Sequence, residues 1–184
     1  MTETVATAHW RALDREGEDK SRLARADGGY ILIGHARFRD GAGRAALDYV
    51  VRCGPDWRTT SADITGDYAE EQIAWKFTRT RGDWTFNGSP APELQDAEDI
   101  DLAFTPATNL MPLRRLPQVG RLETTSAWVR LPGPTFSILT QSYTRERGNY
   151  VRYTALESDY ETHLAVNEDG FVTRYPGLWD WVDA

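Results

Sequence analysis

The chain has 184 residues, 21 of them basic and 28 acidic, and a formal net charge of −7 at pH 7. This length suits a substantial hydrophobic core, and we expect residues 1–184 to form a single domain. The acidic balance argues against a nucleic-acid-binding protein, which would carry a basic surface. Because Cys53 is the only cysteine, no internal disulfide can form.

Signals for export or membrane insertion are missing from the sequence. Residues Met1–Ala6 contain no basic segment followed by an apolar stretch, which a signal peptide would have. No apolar run reaches the roughly 18 residues that a transmembrane helix needs. We therefore predict a cytoplasmic protein without a transmembrane segment, and the sequence does not indicate its oligomeric state.

Alternation of apolar and polar residues with period two recurs along almost the whole chain, which is typical of β-strands. In chain order the predicted strands are Tyr30–Phe38, Leu47–Cys53, Thr59–Gly66 (the weakest pattern), Ile73–Thr78, Asp83–Asn87, Asp99–Thr105, Leu122–Leu131, Phe136–Arg145, Asn149–Leu156, Tyr160–Val166 and Phe171–Tyr175. Short turns such as Asp40-Gly41, Arg81-Gly82 and Asp169-Gly170 separate them. Connections this short favour antiparallel neighbours, because parallel pairing needs a long crossover.

One segment, Ala107 to Leu116, has helical spacing, with Leu110, Leu113 and Leu116 three residues apart. Pro112 limits it to one or two short helical turns. A flat sheet of so many strands would leave a long edge and an uncovered face, and this segment alone cannot cover them. We therefore predict an all-β, mainly antiparallel fold in which a single curved sheet forms a barrel or half-barrel.

The segment Asp99–Leu116 carries the densest group of polar candidates. Asp99 and Asp101 share one face of a predicted strand, a turn at Thr105-Pro106 leads to Asn109, and Arg114 and Arg115 follow. Six large apolar residues are interleaved with them: Ile100, Leu102, Phe104, Leu110, Leu113 and Leu116. A solvent-exposed loop needs no such anchors. The segment is therefore either a buried structural clasp or the floor of a ligand site.

The carboxylates of Asp99 and Asp101 have three possible roles. They can hydrogen-bond the hydroxyls of a sugar, or form ion pairs with Arg114 and Arg115. Their separation of about 6.6 Å along the strand also falls in the range of an acid/base pair in an inverting glycosidase. Every strand pair of this spacing gives that distance, so the third reading has the weakest support.

Further candidates lie on other segments. Trp57 and Arg58 can stack against a sugar ring or an acyl chain, or Trp57 can plug the core. Gln141, Tyr143 and Tyr153 lie on adjacent predicted strands, where they can face a head group or pack across the strands. The C-terminal segment around Trp179 and Trp181 either seals the edge of the sheet or caps the mouth of the barrel.

Catalytic motifs are missing. His9, His35 and His163 have no zinc-site spacing, and the sequence contains no nucleophile elbow, P-loop or dinucleotide fingerprint. Cys53 alternates with apolar residues, which is typical of a core position. We accordingly predict no catalytic residue, no metal and no cofactor.

The central run Asp99-Ile-Asp, Thr105-Pro106, Thr108-Asn109 and Pro112-Leu-Arg-Arg-Leu116 resembles the signature of the putative glycolipid-binding family, formerly a domain of unknown function. The segments Arg52–Arg58, Gln141–Tyr143, Tyr150–Tyr153 and Asp169–Gly177 also resemble it, as do His9–Arg11 and Gly17-Glu18. The resemblance implies an unclosed barrel, similar in shape to bacterial lipoprotein carriers. Where the family commonly has a second arginine after Trp57-Arg58, this chain has Thr59.

Together these observations predict non-catalytic binding of a glycolipid or another amphipathic molecule in the groove of a half-barrel. Its tail would pack against apolar walls. The predicted ligand-binding residues are Trp57, Arg58, Asp99, Asp101, Thr105, Asn109, Arg114, Arg115, Gln141, Tyr143 and Tyr153. Two alternatives remain. One is a cytosolic enzyme that uses Asp99 and Asp101 on a small carbohydrate or lipid, and the other is a structural or interaction module whose barrel is filled by its own side chains.

Overall fold

The structure, a computed structural model, describes residues 3–183, and these form one sheet of fifteen strands. The strands are β1 Glu3–Ala12, β2 Glu16–Ala26, β3 Gly29–Arg39, β4 Arg44–Cys53, β5 Thr59–Tyr68, β6 Glu71–Thr80, β7 Asp83–Phe86, β8 Ser89–Pro90, β9 Asp99–Leu102, β10 Arg121–Arg130, β11 Thr135–Arg145, β12 Tyr150–Ala155, β13 Tyr160–Val166, β14 Val172–Tyr175 and β15 Trp179–Trp181. Their order is β8 to β1 in descending sequence, then β15 to β9, so β8 and β9 are the two edges. All neighbours are antiparallel except β9 and β10. The predicted all-β fold with a single unclosed sheet is confirmed.

Two long strands, β1 and β2, were missed by the sequence pattern. The inward face of β2 carries Asp19 and Ser21, which are both buried, before it reaches Leu23. Polar residues on the buried face conceal the apolar alternation on which the prediction depends. The predicted strand Asp99–Thr105 was also too long, since β9 ends at Leu102 and Thr105 lies beyond a turn.

The helical prediction is confirmed. A 3-10 turn at Ala107–Asn109 leads into one α-helix, α1, at Leu110–Arg115. Pro112 lies in the first turn of α1, where a missing N–H leaves no intrahelical hydrogen bond unmade. A further 3-10 turn covers Pro92–Leu94. No helix in residues 3–183 has the length and apolar character to cross a membrane.

The two ends of the sheet overlap instead of closing. Phe136 on β11 packs against Phe77 on β6 and Phe86 on β7, with ring centroids 5.5 Å and 5.2 Å away. Two hydrogen bonds join β5 to the β9 edge: the Thr59 N–H donates to Glu98 O, and the Ile100 N–H donates to the Thr59 hydroxyl, each at 3.1 Å. Side-chain packing and these two hydrogen bonds therefore hold the ends together, where a closed barrel would have a continuous ladder.

The chain itself occupies most of the interior. Residues 104–113 are all buried and contribute side chains to both hydrophobic clusters. The larger cluster includes Trp10 and Tyr49 from the long strands β1 to β6, and the smaller one packs Leu113 of α1 against Tyr153 on β12. One of the clefts that remain open lies beside Asp101.

Candidate functional site

A cleft of about 200 Å³ lies between β9, β12 and the C-terminal strands, and we call it the main cleft. It is lined by Asp101, Ala103, Thr105, Pro106, Asn109, Trp128, Leu139, Tyr153, Ala155, Ser158, Tyr160, Tyr175, Leu178 and Trp179. Most of this wall is aromatic or aliphatic, and Asp101 is its one carboxylate. Pockets that bind small molecules have the same character, with apolar walls and a few placed polar groups.

Asp101 is half-buried, and one of its oxygens accepts a hydrogen bond of 2.7 Å from the Gln141 amide. The same amide donates to the Tyr153 hydroxyl at 2.8 Å, while its carbonyl accepts from Ser126 at 2.7 Å. Gln141 is thereby fixed in one orientation. No donor in residues 3–183 bonds the second oxygen of Asp101, which is therefore free to accept hydrogen bonds from a ligand.

Burial raises the pKa of the Asp101 carboxyl to about 6, and the hydrogen bond from Gln141 opposes this shift. Burial also raises the pKa of Tyr153 and Tyr175, so both hydroxyls stay protonated at neutral pH. The cleft therefore presents phenol donors beside a carboxylate acceptor. This combination suits a ligand that both donates and accepts hydrogen bonds, as a sugar hydroxyl does.

Aromatic rings form the rest of the wall. Tyr153, Tyr160 and Tyr175 pack against one another with centroid separations of 6.1–6.3 Å. Trp128 is half-buried and Trp179 is almost fully buried in the same cleft. Wide apolar rings with polar tips can pack against the C–H face of a sugar while the carboxylate binds its hydroxyls.

A second polar network lies behind the cleft. The Tyr49 hydroxyl donates to one oxygen of Asp19 at 2.8 Å and lies 3.2 Å from the hydroxyl of Thr105, a cleft residue. The other Asp19 oxygen and the Ser21 hydroxyl are buried without partners among residues 3–183. Burial raises the pKa of Asp19 to about 7, against the hydrogen bonds from Tyr49 and Thr105. Asp19 contributes a buried acid to the interior and does not line the main cleft.

Asp99 and Arg115 form a buried structural clasp. Both oxygens of Asp99 accept from the Arg115 guanidinium at 2.7 Å, and Asp99 is 1% exposed. Arg115 also donates to the Trp57 carbonyl and the Thr124 hydroxyl, each at 3.1 Å. The pair therefore ties α1 to β9, β10 and the loop before β5.

The other predicted residues of this region surround the clasp. Trp57 stacks on Tyr30 with centroids 3.8 Å apart, and the Arg114 guanidinium lies 4.6 Å over the same indole ring. Trp57 is therefore engaged in packing within the protein, and it does not line the main cleft. Arg58 forms an ion pair with Glu98 at 3.3 Å.

The structure thus divides the residues predicted from sequence into three groups. Four of them line the main cleft: Asp101, Thr105, Asn109 and Tyr153. Gln141 and Tyr143 support it from behind, through hydrogen bonds to Asp101 and Asn109. The other five belong to the clasp or surround it, and they do not line the cleft: Trp57, Arg58, Asp99, Arg114 and Arg115.

Several wall residues were not predicted: Trp128, Leu139, Tyr160, Tyr175 and Leu178. For Trp128 the strand alternation gave a signal, because it lies on the same face of β10 as Ser126, whose hydroxyl hydrogen-bonds Gln141. Trp179 lines the cleft, which agrees with the alternative that the C-terminal segment caps the mouth of the barrel. Trp181 packs on Trp10 at 5.8 Å and is not a wall residue.

Comparison with known proteins agrees with the fold and the sequence motifs. The model of a family described as putative glycolipid-binding matches residues 7–180. The chain belongs to this family. A crystal structure of a DUF1089 family protein from Pseudomonas aeruginosa is similar to this chain, with a TM-score of 0.77 and 28% sequence identity over 88% of this chain and 91% of that one. No curated protein matches the chain.

Proposed function

We propose that the protein binds the sugar head group of a glycolipid, or of a similar amphipathic molecule, in the main cleft without catalysing a reaction. The observation that carries the proposal is the Asp101 carboxylate in a largely apolar wall: Gln141 holds one of its oxygens, and the other oxygen is free. The family description supports the same ligand class.

The size of the cleft limits what it can hold. Its volume of about 200 Å³ lies below the roughly 300 Å³ at which small-molecule sites begin. Residues 104–113 fill the interior where an acyl chain was expected to pack. The cleft therefore suits one polar head group, and the remainder of the ligand extends beyond its rim.

The environment of the carboxylates favours binding over hydrolysis. Hydrolysis of a glycosidic bond by acid/base catalysis uses two carboxyl groups beside the scissile bond. Asp101 is the one carboxylate in the wall of the main cleft, and Asp99 is committed to Arg115 in the clasp. A single acceptor with phenol donors around it fits recognition of hydroxyl groups.

Asp101→Asn is expected to weaken binding of octyl glucoside by about tenfold or more, because the ligand loses a charge-assisted hydrogen bond. Binding of 1-octanol, which has the same alkyl chain but neither a sugar nor a charge, should change little. Both affinities can be measured by NMR titration of the ¹⁵N-labelled chain. Asp27→Asn, a change at an exposed turn residue, is the matched control and should leave both affinities unchanged. Equal losses for both ligands in Asp101→Asn would contradict the proposal.

The affinity for octyl glucoside should also depend on pH. Since the pKa of Asp101 is about 6, deprotonation from about pH 5 to about pH 7 creates the acceptor and affinity should rise over that window. The same titrations repeated across this window test the expectation. In Asp101→Asn the profile should be flat. A rise of equal size in the variant would assign the pH dependence to another group, such as Asp19 behind the cleft.

One observation favours a second candidate, an interaction module that binds no small molecule. The interior is filled by the chain's own residues, as that alternative requires. Native mass spectrometry of the purified protein, followed by lipid analysis, separates the two functions. A bound lipid or glycolipid supports head-group binding. A mass that stays ligand-free after incubation with cellular lipid extract supports the interaction module.

A further inference from the structure

A second cleft, of about 210 Å³, adjoins the main cleft, and we call it the arginine cleft. It is lined by Arg15, Phe38, Asp40, Ala103, Phe104, Trp128, Arg130 and Leu131. Ala103 and Trp128 belong to the walls of both clefts. The Arg15 guanidinium also lies 5.5 Å from the ring centroid of Trp179, another wall residue of the main cleft. The two clefts are therefore neighbours across one indole ring.

The guanidinium groups of the arginine cleft are held by stacking. That of Arg130 lies 3.9 Å from the centroid of Trp128, and that of Arg15 lies 4.1 Å from the centroid of Phe38. Stacking occupies the flat face of a guanidinium and leaves its N–H edges directed outward in the plane. Such pre-oriented edges are the arrangement that binds phosphate or carboxylate in bidentate fashion.

These edges are largely unused within the protein. In the part of the chain that the structure describes, neither Arg15 nor Arg130 forms an ion pair, in contrast to Arg37 and Arg115. The recorded hydrogen bond of the Arg130 side chain is to the Ser137 hydroxyl at 3.2 Å. The Nε–H of Arg15 is buried and has no acceptor.

Asp40 is the one carboxylate in the wall of the arginine cleft, and its hydrogen bonds lie elsewhere. One oxygen accepts the N–H groups of Ala42 and Gly43, at 2.9 Å and 3.2 Å, and the other accepts the Tyr68 hydroxyl at 2.9 Å. The wall therefore contains two guanidinium groups and one carboxylate, and both oxygens of that carboxylate already accept hydrogen bonds from other residues. Its net charge is positive in a chain whose formal net charge is −7.

We propose that the arginine cleft binds an anionic group carried by the same ligand whose hydroxyl-bearing part lies in the main cleft. The inference rests on the proposed function and narrows its ligand class to an acidic one, a polyol or sugar that carries a phosphate, sulfate or carboxylate. The anionic group contacts Arg15 and Arg130, and Trp128 packs against the link between the two parts. A lipid head group and a free sugar phosphate share this chemistry.

The test compares myo-inositol, myo-inositol 1-phosphate and inorganic phosphate by NMR titration of the full ¹⁵N-labelled chain. The phosphorylated polyol is expected to bind at least about tenfold more tightly than the neutral one. Arg15→Gln and Arg130→Gln should each reduce this preference, because they weaken binding of the phosphorylated polyol more than binding of myo-inositol. Arg152→Gln, at an exposed arginine of β12, is the matched control and should keep the preference. Dispersion of the amide spectrum shows that each variant is folded. Arg130→Lys should retain an intermediate preference, because lysine keeps the positive charge but lacks the planar guanidinium that donates two parallel hydrogen bonds.

The outcomes separate this inference from the proposed function. Binding of myo-inositol with no preference for its phosphate, or a preference that survives in both glutamine variants, would overturn the anion site and leave head-group binding in place. Phosphate-induced shifts around Arg15 and Arg130 without any binding of myo-inositol would support the anion site and contradict head-group binding. Co-sedimentation with phosphatidylcholine vesicles, with and without phosphatidylinositol, distinguishes the sources: capture only by the phosphatidylinositol vesicles supports a lipid head group. Binding of soluble inositol phosphate without such capture supports a free ligand.

Discussion

Arg115→Ala is expected to lower the free energy of unfolding by about 3–5 kcal/mol, the usual effect of removing one partner from a buried ion pair. Asp99 is 1% exposed and accepts both of its strongest hydrogen bonds from Arg115, each at 2.7 Å. Burial already raises the pKa of Asp99, and the Arg115 hydrogen bonds and charge oppose that shift. Without Arg115 the carboxylate must either stay charged in the core or take up a proton. Urea unfolding at neutral pH measures the loss.

Two further variants identify the cause of that loss. Arg114→Ala removes a neighbouring guanidinium that stacks on Trp57 and forms no ion pair among residues 3–183, so we expect about 1 kcal/mol from the lost cation–π contact. The double variant Asp99→Leu with Arg115→Met replaces the pair by apolar side chains of similar size and should recover most of the stability. If Arg115→Ala and Arg114→Ala destabilise equally, the clasp is not the main support of this region.

Asp99 belongs to the clasp and Asp101 to the main cleft, and the sequence alone could not predict this difference. The alternation over β9 correctly placed Asp99 and Asp101 on one face, because strand periodicity is local. Their different roles depend on partners from distant segments: Arg115 from α1 reaches Asp99, and Gln141 from β11 reaches Asp101. A single sequence does not show which of these distant residues contact each other. Each carboxylate therefore had both a ligand-binding and a structural reading until the fold was known.

The wall of the main cleft was found only in part for a related reason. Tyr153 was predicted from its position beside Gln141 and Tyr143, on strands that a short turn joins. Tyr160 and Tyr175 lie on later strands, and they reach the cleft because β12, β13 and β14 are consecutive neighbours in the sheet. The sequence predicted the strands but not how strongly the sheet curls, and the curl decides which aromatic residues face the same space.

Asp19 illustrates a different difficulty, since a charged residue on the inward face made β2 unrecognisable from sequence. It is fully buried beneath Tyr49 and has no ion-pair partner among residues 3–183. The neighbouring strand β3 places His35 and Arg37 near enough for their charges to lower its pKa, but neither of them hydrogen-bonds Asp19. A carboxyl in such a place is stabilised when it holds its proton. Asp19 therefore makes the stability of the fold depend on pH.

Asp19→Asn is expected to raise the free energy of unfolding at about pH 8, by up to about 4 kcal/mol, and to have little effect near pH 4. The folded-state pKa of about 7 lies above the ordinary value of 3.8, so between these values the folded protein holds a proton that the unfolded chain releases. The stabilisation from protonated Asp19 is complete below pH 3.8 and is lost as the pH rises through 7. The amide of asparagine keeps an acceptor for Tyr49 and carries no charge. Urea unfolding of both proteins over this range gives a difference curve in which the other carboxylates cancel.

Asp48→Asn is the matched control, and its expected effect on the free energy of unfolding at about pH 8 is opposite to that of Asp19→Asn. Asp48 lies on the outer face of β4, where hydrogen bonds from His35 and Arg37 lower its pKa. Its loss should therefore reduce stability at about pH 8, and by no more than about 1 kcal/mol because the pair is exposed. If Asp19→Asn also proved less stable than the wild type at that pH, the ionised carboxylate would be a favourable part of the fold.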